Sequence, residues 1–476
     1  MELYELLERY AKGHLPMHMP GHKRNAALAP YLTALRADLD ITEIDGFDNL
    51  HDARGILQSG MARTAALWGS RRAFWLVNGS TVGILAAVWA VVPHGGRVVC
   101  ARNCHGAVHR ALSVRRAQAA YILPEVDRET GIPGGLDPAA VARALDANPG
   151  THLLILTSPT YEGAISDIPA ICAAAHARGV PVLVDEAHGA HLGFGHGFPD
   201  GAVRAGADVV VQSLHKTLPS LTQTAVLHTN GARVDASAIG EALQIFQTSS
   251  PSYLLMASIE GLISLLEARG DALFSDWRAH LRAFHRRAEH LNHLRIWTPR
   301  GAHDPSKIVI RSDRAGITGA ALAERLRQEY RMELEMAAGG YALAMTGMGD
   351  TRDTLDALAD ALLALDRTTA PALPHAFPPP VLPPRVLHPW VAADLPCAPV
   401  DVRHAAGRVS AEAIWAYPPG IPLVLPGEMV SDALIDCISA YAASGIRLQG
   451  TKGAMPRAVH VLAESSLTKP GAHDNL

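Results

Sequence analysis

Three short segments place polar, reactive side chains directly after apolar runs. They are Asn78-Gly79-Ser80-Thr81, Asp185-Glu186-Ala187-His188 and Ser213-Leu214-His215-Lys216. In the first, a glycine and two hydroxyl residues open a helix, and the N–H groups at a helix start are unpaired and carry partial positive charge. The segment is therefore typical of an anion site, and the hydroxyls add donors for a phosphate. An ordinary N-cap formed by Ser80 or Thr81 is the alternative interpretation.

Asp185 and Lys216 supply the groups that a pyridine aldehyde requires. A lysine at the mouth of a sheet is the nucleophile that forms an imine, and an aspartate at a strand end can hold a protonated ring nitrogen. Loop capping by Asp185 and a solvated Lys216 are the alternatives, although Ser213 and His215 crowd the lysine into a polar site. The order of phosphate turn, aspartate and lysine predicts a site for pyridoxal 5'-phosphate (PLP).

Continuous apolar runs alternate with helical patterns from about residue 73 onward, and this alternation predicts how the reactive residues are positioned. Buried strands separated by helices such as Ser80–Val92 and His105–Gln118 indicate a doubly wound α/β domain with a mostly parallel sheet, in which ligands bind at the carboxyl ends of the strands. Seven runs predict strands: Phe74–Val77, Val98–Ala101, Ala120–Leu123, His152–Thr157, Pro181–Val184, Asp208–Gln212 and Ala225–Thr229.

The rest of the chain divides by composition. We expect an N-terminal arm over 1–72, a large cofactor-binding domain over 73–250 and a smaller α+β domain over 251–370, with a strand at Lys307–Arg311 and a helix at Gly319–Glu329. The proline-rich stretch 371–389 predicts a semi-rigid linker. Residues 390–476 form the predicted C-terminal domain.

Composition excludes several classes of protein. The formal net charge is −4 and no lysine-rich or arginine-rich run is present, so nucleic acid is not an expected partner. The apolar stretch Ile84–Pro93 is too short to span a bilayer and the acidic N-terminus does not resemble a signal peptide, which predicts a cytoplasmic protein with no membrane partner. The five cysteines lack C-x-x-C spacing, so we expect reduced thiols and no metal site.

The chain resembles the Orn/Lys/Arg decarboxylase family in its short form, within the fold-type-I PLP-dependent enzymes. The likeness covers nearly the whole chain. Its stretches are His18–Lys23, Asn78–Thr81, Pro93–His105, Ser158–Tyr161, Asp185–His188, Ser213–Lys216, Thr248–Tyr253, Tyr417–Pro422 and Pro426–Glu428. The resemblance implies the fold-type-I transferase fold, with a mostly parallel seven-stranded sheet, a smaller α+β domain and a C-terminal domain.

The resemblance also implies roles for individual residues. Lys216 forms the Schiff base with PLP, Asp185 pairs with the ring nitrogen, and His105 stacks on the ring face. His188 lies near the ring oxygen or the substrate carboxylate, so that Lys216, His188 and His105 are the catalytic candidates. The phosphate is surrounded by Ser80, Thr81, Ser213 and His215. The segment Thr248, Ser249 and Ser250 reaches the phosphate of the neighbouring subunit, which implies a homodimer with shared sites or a larger assembly of such dimers.

Some positions are open or depart from the family. Gly106 and Ala107 follow His105 where the family commonly has a lysine and a small polar residue, which leaves the local charge open. His105 as a helix cap is the alternative to stacking. For Glu428 we expect contact with the cationic end of the substrate, with a surface-turn acid as the alternative. His18 and His22 receive no chemical role.

The predicted reaction is decarboxylation of a basic amino acid, namely L-arginine, L-lysine or L-ornithine, to give agmatine, cadaverine or putrescine and CO₂. A PLP-dependent aminotransferase is the main enzymatic alternative, because it differs in which bond breaks. The other alternative is a catalytically silent protein of the same fold that regulates a partner, which the presence of both Lys216 and Asp185 disfavours.

Overall fold

A computed structural model of the chain describes residues 2–14, 16–20, 22–25, 27–28, 30–373, 381–417, 421–443, 446–453, 455 and 457–464. Residues 374–380 of the predicted linker, Gly21 and 418–420 of the stretches that carry the resemblance, and the end of the predicted C-terminal domain lie outside this description. The described residues form two compact units. The first comprises 1–91, 181–278 and 347–349, and the second comprises 92–180, 279–346 and 350–476.

The largest sheet has seven strands, each within one or two residues of a predicted run. They are β1 (Arg72–Leu76), β2 (Arg97–Ala101), β3 (Gln118–Ile122), β4 (Thr151–Thr157), β5 (Val182–Asp185), β6 (Val209–Ser213) and β7 (Ala225–Thr229). Their order is β1-β7-β6-β5-β4-β2-β3. β7 is antiparallel to both of its neighbours, whereas β5 with β6 and β2 with β3 and β4 are parallel. This is the mostly parallel α/β sheet that the apolar runs predict.

The α-helices of the sheet region precede, separate or follow its strands. They are α1 (Glu2–Gly13), α2 (Ile56–Trp68), α3 (Gly79–Val91), α4 (Gly106–Val114), α5 (Pro138–Ala147), α6 (Ile168–His176), α7 (Leu214–Thr217), α8 (Ala236–Phe246) and α9 (Tyr253–Ala288). None of them, nor any later helix within the described ranges, has both the length and the apolar character that a membrane span requires.

The α4 helix ends four residues before its predicted C-terminus. Arg116 adopts a left-handed backbone conformation with φ of 53°, and the N–H of Ala117 donates to the carbonyl of Leu112 at 2.8 Å. A hydrogen bond of this kind closes many helix C-termini, and the left-handed residue in the turn is usually glycine. Because an arginine occupies the turn, the sequence gives no sign that the helix stops there.

The second unit also holds a four-stranded antiparallel sheet and the C-terminal elements. The four-stranded sheet is formed by β8 (Arg295–Ile296), β9 (Lys307–Arg311), β10 (Met336–Ala338) and β11 (Tyr341–Met345), with α10 (Gly319–Tyr330) and α11 (Arg352–Asp366) following in the chain. The C-terminal elements are α12 (Pro389–Ala393), β12 (Cys397–Asp401), β13 (Ile414–Tyr417), β14 (Ile421–Val424), α13 (Asp432–Ala443), β15 (Arg447–Gly450) and β16 (Ala458–Leu462).

The end of the proline-rich stretch is buried and hydrogen-bonded to a later part of the chain. Leu387 and His388 are buried, and the backbone N–H groups of Val386 and Leu387 both donate to the carbonyl of Gly427. The strand and helix predicted at Lys307–Arg311 and Gly319–Glu329 correspond to β9 and α10. The predicted domain boundaries themselves stay predictions.

Candidate active site

Lys216 lies on the short helix α7, directly after β6. Its Nζ is 2.9 Å from Nε2 of His188, which follows β5 and is buried. Nδ1 of His191 lies 3.1 Å from the hydroxyl of Thr217, and the N–H of Met348 donates to the carbonyl of Thr217 at 3.0 Å. The residue after the lysine is thus fixed through both its side chain and its backbone, and the lysine and the predicted acid–base histidine are within hydrogen-bonding distance.

One other lysine of the chain is buried and held by its neighbours. There are six lysines, at positions 12, 23, 216, 307, 452 and 469. Lys307 is fully buried, and its Nζ donates to Asp304 and Ser306 at 2.9 Å each. The Nζ of Lys307 is thus already engaged by two neighbouring side chains.

Asp185 and Ser213 end adjacent parallel strands. Asp185 is a cross-strand partner of Val211, and side chains alternate along a strand, so Asp185 and Ser213 lie on the same face of the sheet. The described residues give the buried Asp185 carboxylate one hydrogen bond, from the N–H of Ala187 at 3.2 Å. Ser213 Oγ is buried and has no hydrogen-bond partner among the described residues.

These two groups test whether the residues fit PLP. A buried hydroxyl without a partner costs about 1–3 kcal/mol, and a phosphate oxygen is a partner that it could donate to. A buried carboxylate with a single neutral donor is suited to a cationic ring nitrogen. The side chains present therefore fit a ligand that carries both a phosphate and a protonated pyridine.

The glycine turn opens α3 as the sequence predicts. Gly79 has φ of 75°, a left-handed conformation that favours glycine, and its N–H donates to the carbonyl of Gln223 at 2.9 Å. Since α3 begins at Gly79, Ser80 and Thr81 lie in its first turn rather than at the preceding N-cap position. Ser80 is half-buried and Thr81 is exposed.

The segment Thr248 to Ser250 lies beside this turn in the same chain. The N–H of Thr248 donates to Oδ1 of Asn78 at 3.0 Å, and the carbonyl of Thr248 is 2.8 Å from Nε2 of His51. All three residues of the segment are exposed. The backbone of this segment is therefore held by its own chain. Its exposed side chains are the groups for which contact with a neighbouring subunit is predicted.

His215 is oriented by a backbone carbonyl. Its Nδ1 lies 2.9 Å from the carbonyl oxygen of Thr224, which can only accept, so Nδ1 carries a proton. Burial is the largest cause that lowers the pKa of His215, and the charge of Lys216 adds to it, while the carbonyl of Thr224 opposes them. A neutral ring in this tautomer has a lone pair on Nε2, so donation to a phosphate from Nε2 requires protonation of the ring.

His105 and Glu428 lie in the second unit. Nδ1 of His105 accepts from the N–H of Ala107 at 3.2 Å and so caps α4, which is the alternative that the sequence leaves open. Capping uses an atom in the plane of the ring, so the stacking role stays a prediction. Glu428 is buried, and its two carboxylate oxygens each accept from Arg102 at 2.7 Å. Its Oε2 also accepts from the N–H of Leu425 at 2.8 Å, so contact with a substrate cation would require Glu428 to release Arg102.

Removal of one partner of this buried pair is expected to destabilise the protein strongly. Arg102→Ala should cost about 3–5 kcal/mol in the free energy of unfolding, because it leaves the Glu428 carboxylate buried without its cation. Urea unfolding followed by circular dichroism measures the change. The double variant Arg102→Met with Glu428→Leu is the matched control and should recover most of the loss. An Arg102→Ala variant as stable as the wild type would contradict a structural role for the pair.

The sequence analysis assigns no role to three residues that matter here: Arg102, Glu186 and Gln212. Arg102 pairs with a residue 326 positions away, a separation at which no local pattern connects them. Glu186 and Gln212 are each next to a predicted site residue, and the geometry rather than the residue type reveals their bond, in which Gln212 Nε2 donates to Glu186 Oε2 at 2.7 Å.

The chain is similar to known proteins along most of its length. Residues 2–321 match the model of the Orn/Lys/Arg decarboxylase major domain, and residues 381–452 match that of its C-terminal domain. An uncharacterized protein of Bacillus subtilis, YaaO, is 33% identical over 94% of this chain and 95% of its own. An arginine decarboxylase of the same organism is 30% identical over 97% and 98%. The structure of the Francisella novicida lysine decarboxylase LdcF superimposes with a TM-score of 0.83 at 18% identity, over 97% of this chain and 81% of that one.

The fold and the strand-end residues define a PLP-dependent enzyme of fold type I, which confirms the predicted fold class and cofactor. The chain belongs to the Orn/Lys/Arg decarboxylase family. It is accordingly a PLP-dependent lyase, as the sequence predicts, and the aminotransferase and the catalytically silent protein are not supported.

Proposed function

We propose that the chain decarboxylates L-arginine to agmatine and CO₂, with L-lysine and L-ornithine as poorer substrates. The choice among the three is supported by the Bacillus subtilis relative, which is named an arginine decarboxylase and aligns with nearly the whole of this chain. The observation that carries the reaction is the 2.9 Å approach of Lys216 Nζ to His188 Nε2, between the ends of β5 and β6.

In this proposal the residues of the first unit divide the work. When bound, PLP supplies an electron sink for the pair of electrons that CO₂ leaves behind. Lys216 would hold the cofactor covalently through its amine, and the substrate amine would take its place. Asp185 holds the ring nitrogen protonated, while Ser213, Ser80 and Thr81 hold the phosphate together with the N–H groups that begin α3.

Proton return is assigned to the Lys216 and His188 pair. At 2.9 Å the two nitrogens can share a proton, so the amine released when substrate binds can be reprotonated through the imidazole. Either group can then deliver a proton to the α-carbon. The buried position of His188 limits its exchange with bulk water.

We also propose a homodimer in which Thr248, Ser249 and Ser250 of one subunit contact the phosphate held by the other. Support comes from the exposure of all three side chains, which makes them available to a second chain. The backbone bonds of Thr248 to Asn78 and His51 hold the segment at the rim of the phosphate turn.

A substrate panel tests the proposed reaction directly. Purified enzyme with PLP is given carboxyl-labelled arginine, lysine and ornithine, with glutamate as a control. Release of labelled CO₂ and formation of the matching amine are measured together with keto-acid formation. The proposal expects agmatine from arginine, with kcat/KM at least about tenfold above that for lysine, which corresponds to about 1.4 kcal/mol. Preference for lysine or ornithine would overturn the choice of substrate, and keto acid without CO₂ would overturn the reaction.

A further inference from the structure

A chain of buried hydrogen bonds crosses the ends of β5, β6 and β7 in the first unit. Glu186 Oε1 accepts from the N–H of Ala202 at 2.7 Å, and its Oε2 accepts from Gln212 Nε2 at 2.7 Å. Gln212 Oε1 is 3.1 Å from His228 Nε2, and His228 Nδ1 is 2.9 Å from Ser70 Oγ. Glu186, Gln212 and His228 are buried.

Donors and acceptors can be assigned consistently along this chain. The backbone N–H of Ala202 donates to Glu186, and the amide nitrogen of Gln212 donates to the other carboxylate oxygen. The amide oxygen of Gln212 is then an acceptor for the Nε2–H of His228. Burial lowers the pKa of His228 to about 3, so that ring is neutral and its Nδ1 accepts from the hydroxyl of Ser70.

The chain lies on the face of the sheet opposite to the proposed PLP site. A Cβ on Gly83 of α3 would lie 3.0 Å from Val211, so α3 covers the face that carries Val211, Asp185 and Ser213. Gln212 and Val210 point to the other face because side chains alternate. His228 is the cross-strand partner of Val210 and lies on that face as well.

Both ends of the central bond are chain neighbours of site residues. Glu186 follows Asp185, and Gln212 precedes Ser213. The bond between Glu186 and Gln212 therefore connects the end of β5 to the end of β6. Asp185 lies at the first of these ends, and α7 with Lys216 begins at the second. A short hydrogen bond between two buried groups holds its two ends rigidly.

We propose that Gln212 and Glu186 are positioning residues that set the separation between Asp185 and the Ser213–Lys216 segment. With this separation fixed, Asp185 would be placed to hold the ring nitrogen of PLP while Lys216 reaches its aldehyde carbon. The inference rests on the proposed PLP site. It assigns no chemical step to Gln212 or Glu186, which act through their neighbours.

The test is Gln212→Leu, which keeps the side-chain volume and removes both hydrogen bonds. Apo-protein is titrated with PLP without substrate, and the visible absorption band is recorded against pH. We expect the PLP dissociation constant to rise about tenfold, the size of one lost buried hydrogen bond. We also expect a shift in the pKa at which the visible band changes. Thr64→Val is the matched control. Thr64 is buried in the same unit and bonds Gly60 and Trp75, so its loss should lower the melting temperature but leave the band and the PLP affinity unchanged.

A swap variant separates positioning from a general effect on folding. In Glu186→Gln with Gln212→Glu, the new amide can donate to the new carboxylate, which still accepts from His228, while the N–H of Ala202 still has an acceptor. The swap should return the PLP dissociation constant and the band to within about twofold of the wild type. If Gln212→Leu does not fold, the swap is compared with Glu186→Gln alone, which should bind PLP more weakly.

The outcomes distinguish this inference from the proposed site. Wild-type PLP affinity and band in Gln212→Leu, or a folded swap that binds PLP as weakly as the single variants, would overturn the positioning role. If borohydride reduction of the wild type attaches the cofactor to a lysine other than Lys216, the proposed site itself is wrong.

Discussion

Lys216→Ala should yield a folded protein that binds PLP without a covalent bond and releases CO₂ at least about 10³-fold more slowly than the wild type. The side chain is half-buried and follows β6 on a helix of four residues, so its truncation removes the amine without opening the core. Unfolding in urea should change by less than about 1 kcal/mol. Labelled CO₂ release and the visible spectrum of the protein with PLP measure the two functional effects.

Borohydride reduction followed by peptide mass mapping locates the covalent bond. With six lysines in the chain, each can be scored, and the pyridoxyl group should appear on the peptide that contains Lys216 and be absent from the variant. Lys12→Ala is the matched control, since Lys12 is exposed near the end of α1 and its loss should change neither measurement. Full activity in Lys216→Ala would refute the assignment.

The same variant reports on shared sites. Mixing Lys216→Ala subunits with subunits in which Thr248, Ser249 and Ser250 are alanine should restore activity that neither variant has alone. A mixed dimer has one site with both an intact lysine and an intact segment. No gain on mixing, with exchange of subunits demonstrated by mass, would show that each site is complete within one chain.

The strands could be predicted because their signals are local. Strands such as β5 and β6 are buried along their whole length and begin with apolar runs. The polar residue at the end of each strand marks the edge of the sheet. The same reasoning could not reveal the bond between Gln212 and Glu186. Both residues point away from the face on which the site residues were expected, and a polar residue inside a strand does not indicate which partner it has.

Two further kinds of feature could not be predicted from the sequence: pairs of residues far apart in the chain and left-handed backbone turns. The partners Arg102 and Glu428 are far apart in the chain, so the sequence does not show that they pair. It leaves a substrate contact and a surface-turn acid as the interpretations of Glu428. The early end of α4 depends on a left-handed arginine at position 116, a conformation that the residue type does not signal. In both cases tertiary structure supplies what the local pattern lacks.

Removal of the negative charge of Asp185 is expected to cause the second large loss of activity. Two unit charges about 4 Å apart at an effective dielectric of 20 interact by about 4 kcal/mol, which corresponds to a pKa difference of about 3. Asp185→Asn keeps the shape of the side chain and the oxygen that accepts from Ala187, but it removes the partner that keeps the ring nitrogen protonated. We therefore expect kcat to fall by about 10²- to 10³-fold, while PLP still binds through Lys216 and the phosphate turn.

The pH dependence and a cofactor analogue separate loss of charge from loss of structure. Because the ring nitrogen of the variant titrates at a lower pH, its residual rate should rise as the pH falls, whereas a misfolded site would give no such recovery. Reconstitution with N-methylated PLP, whose ring nitrogen is permanently cationic, should restore much of the lost rate in Asp185→Asn. If the analogue is bound but the rate stays low, Asp185 acts by a route other than its charge, since the nitrogen no longer needs an acid partner to remain positive.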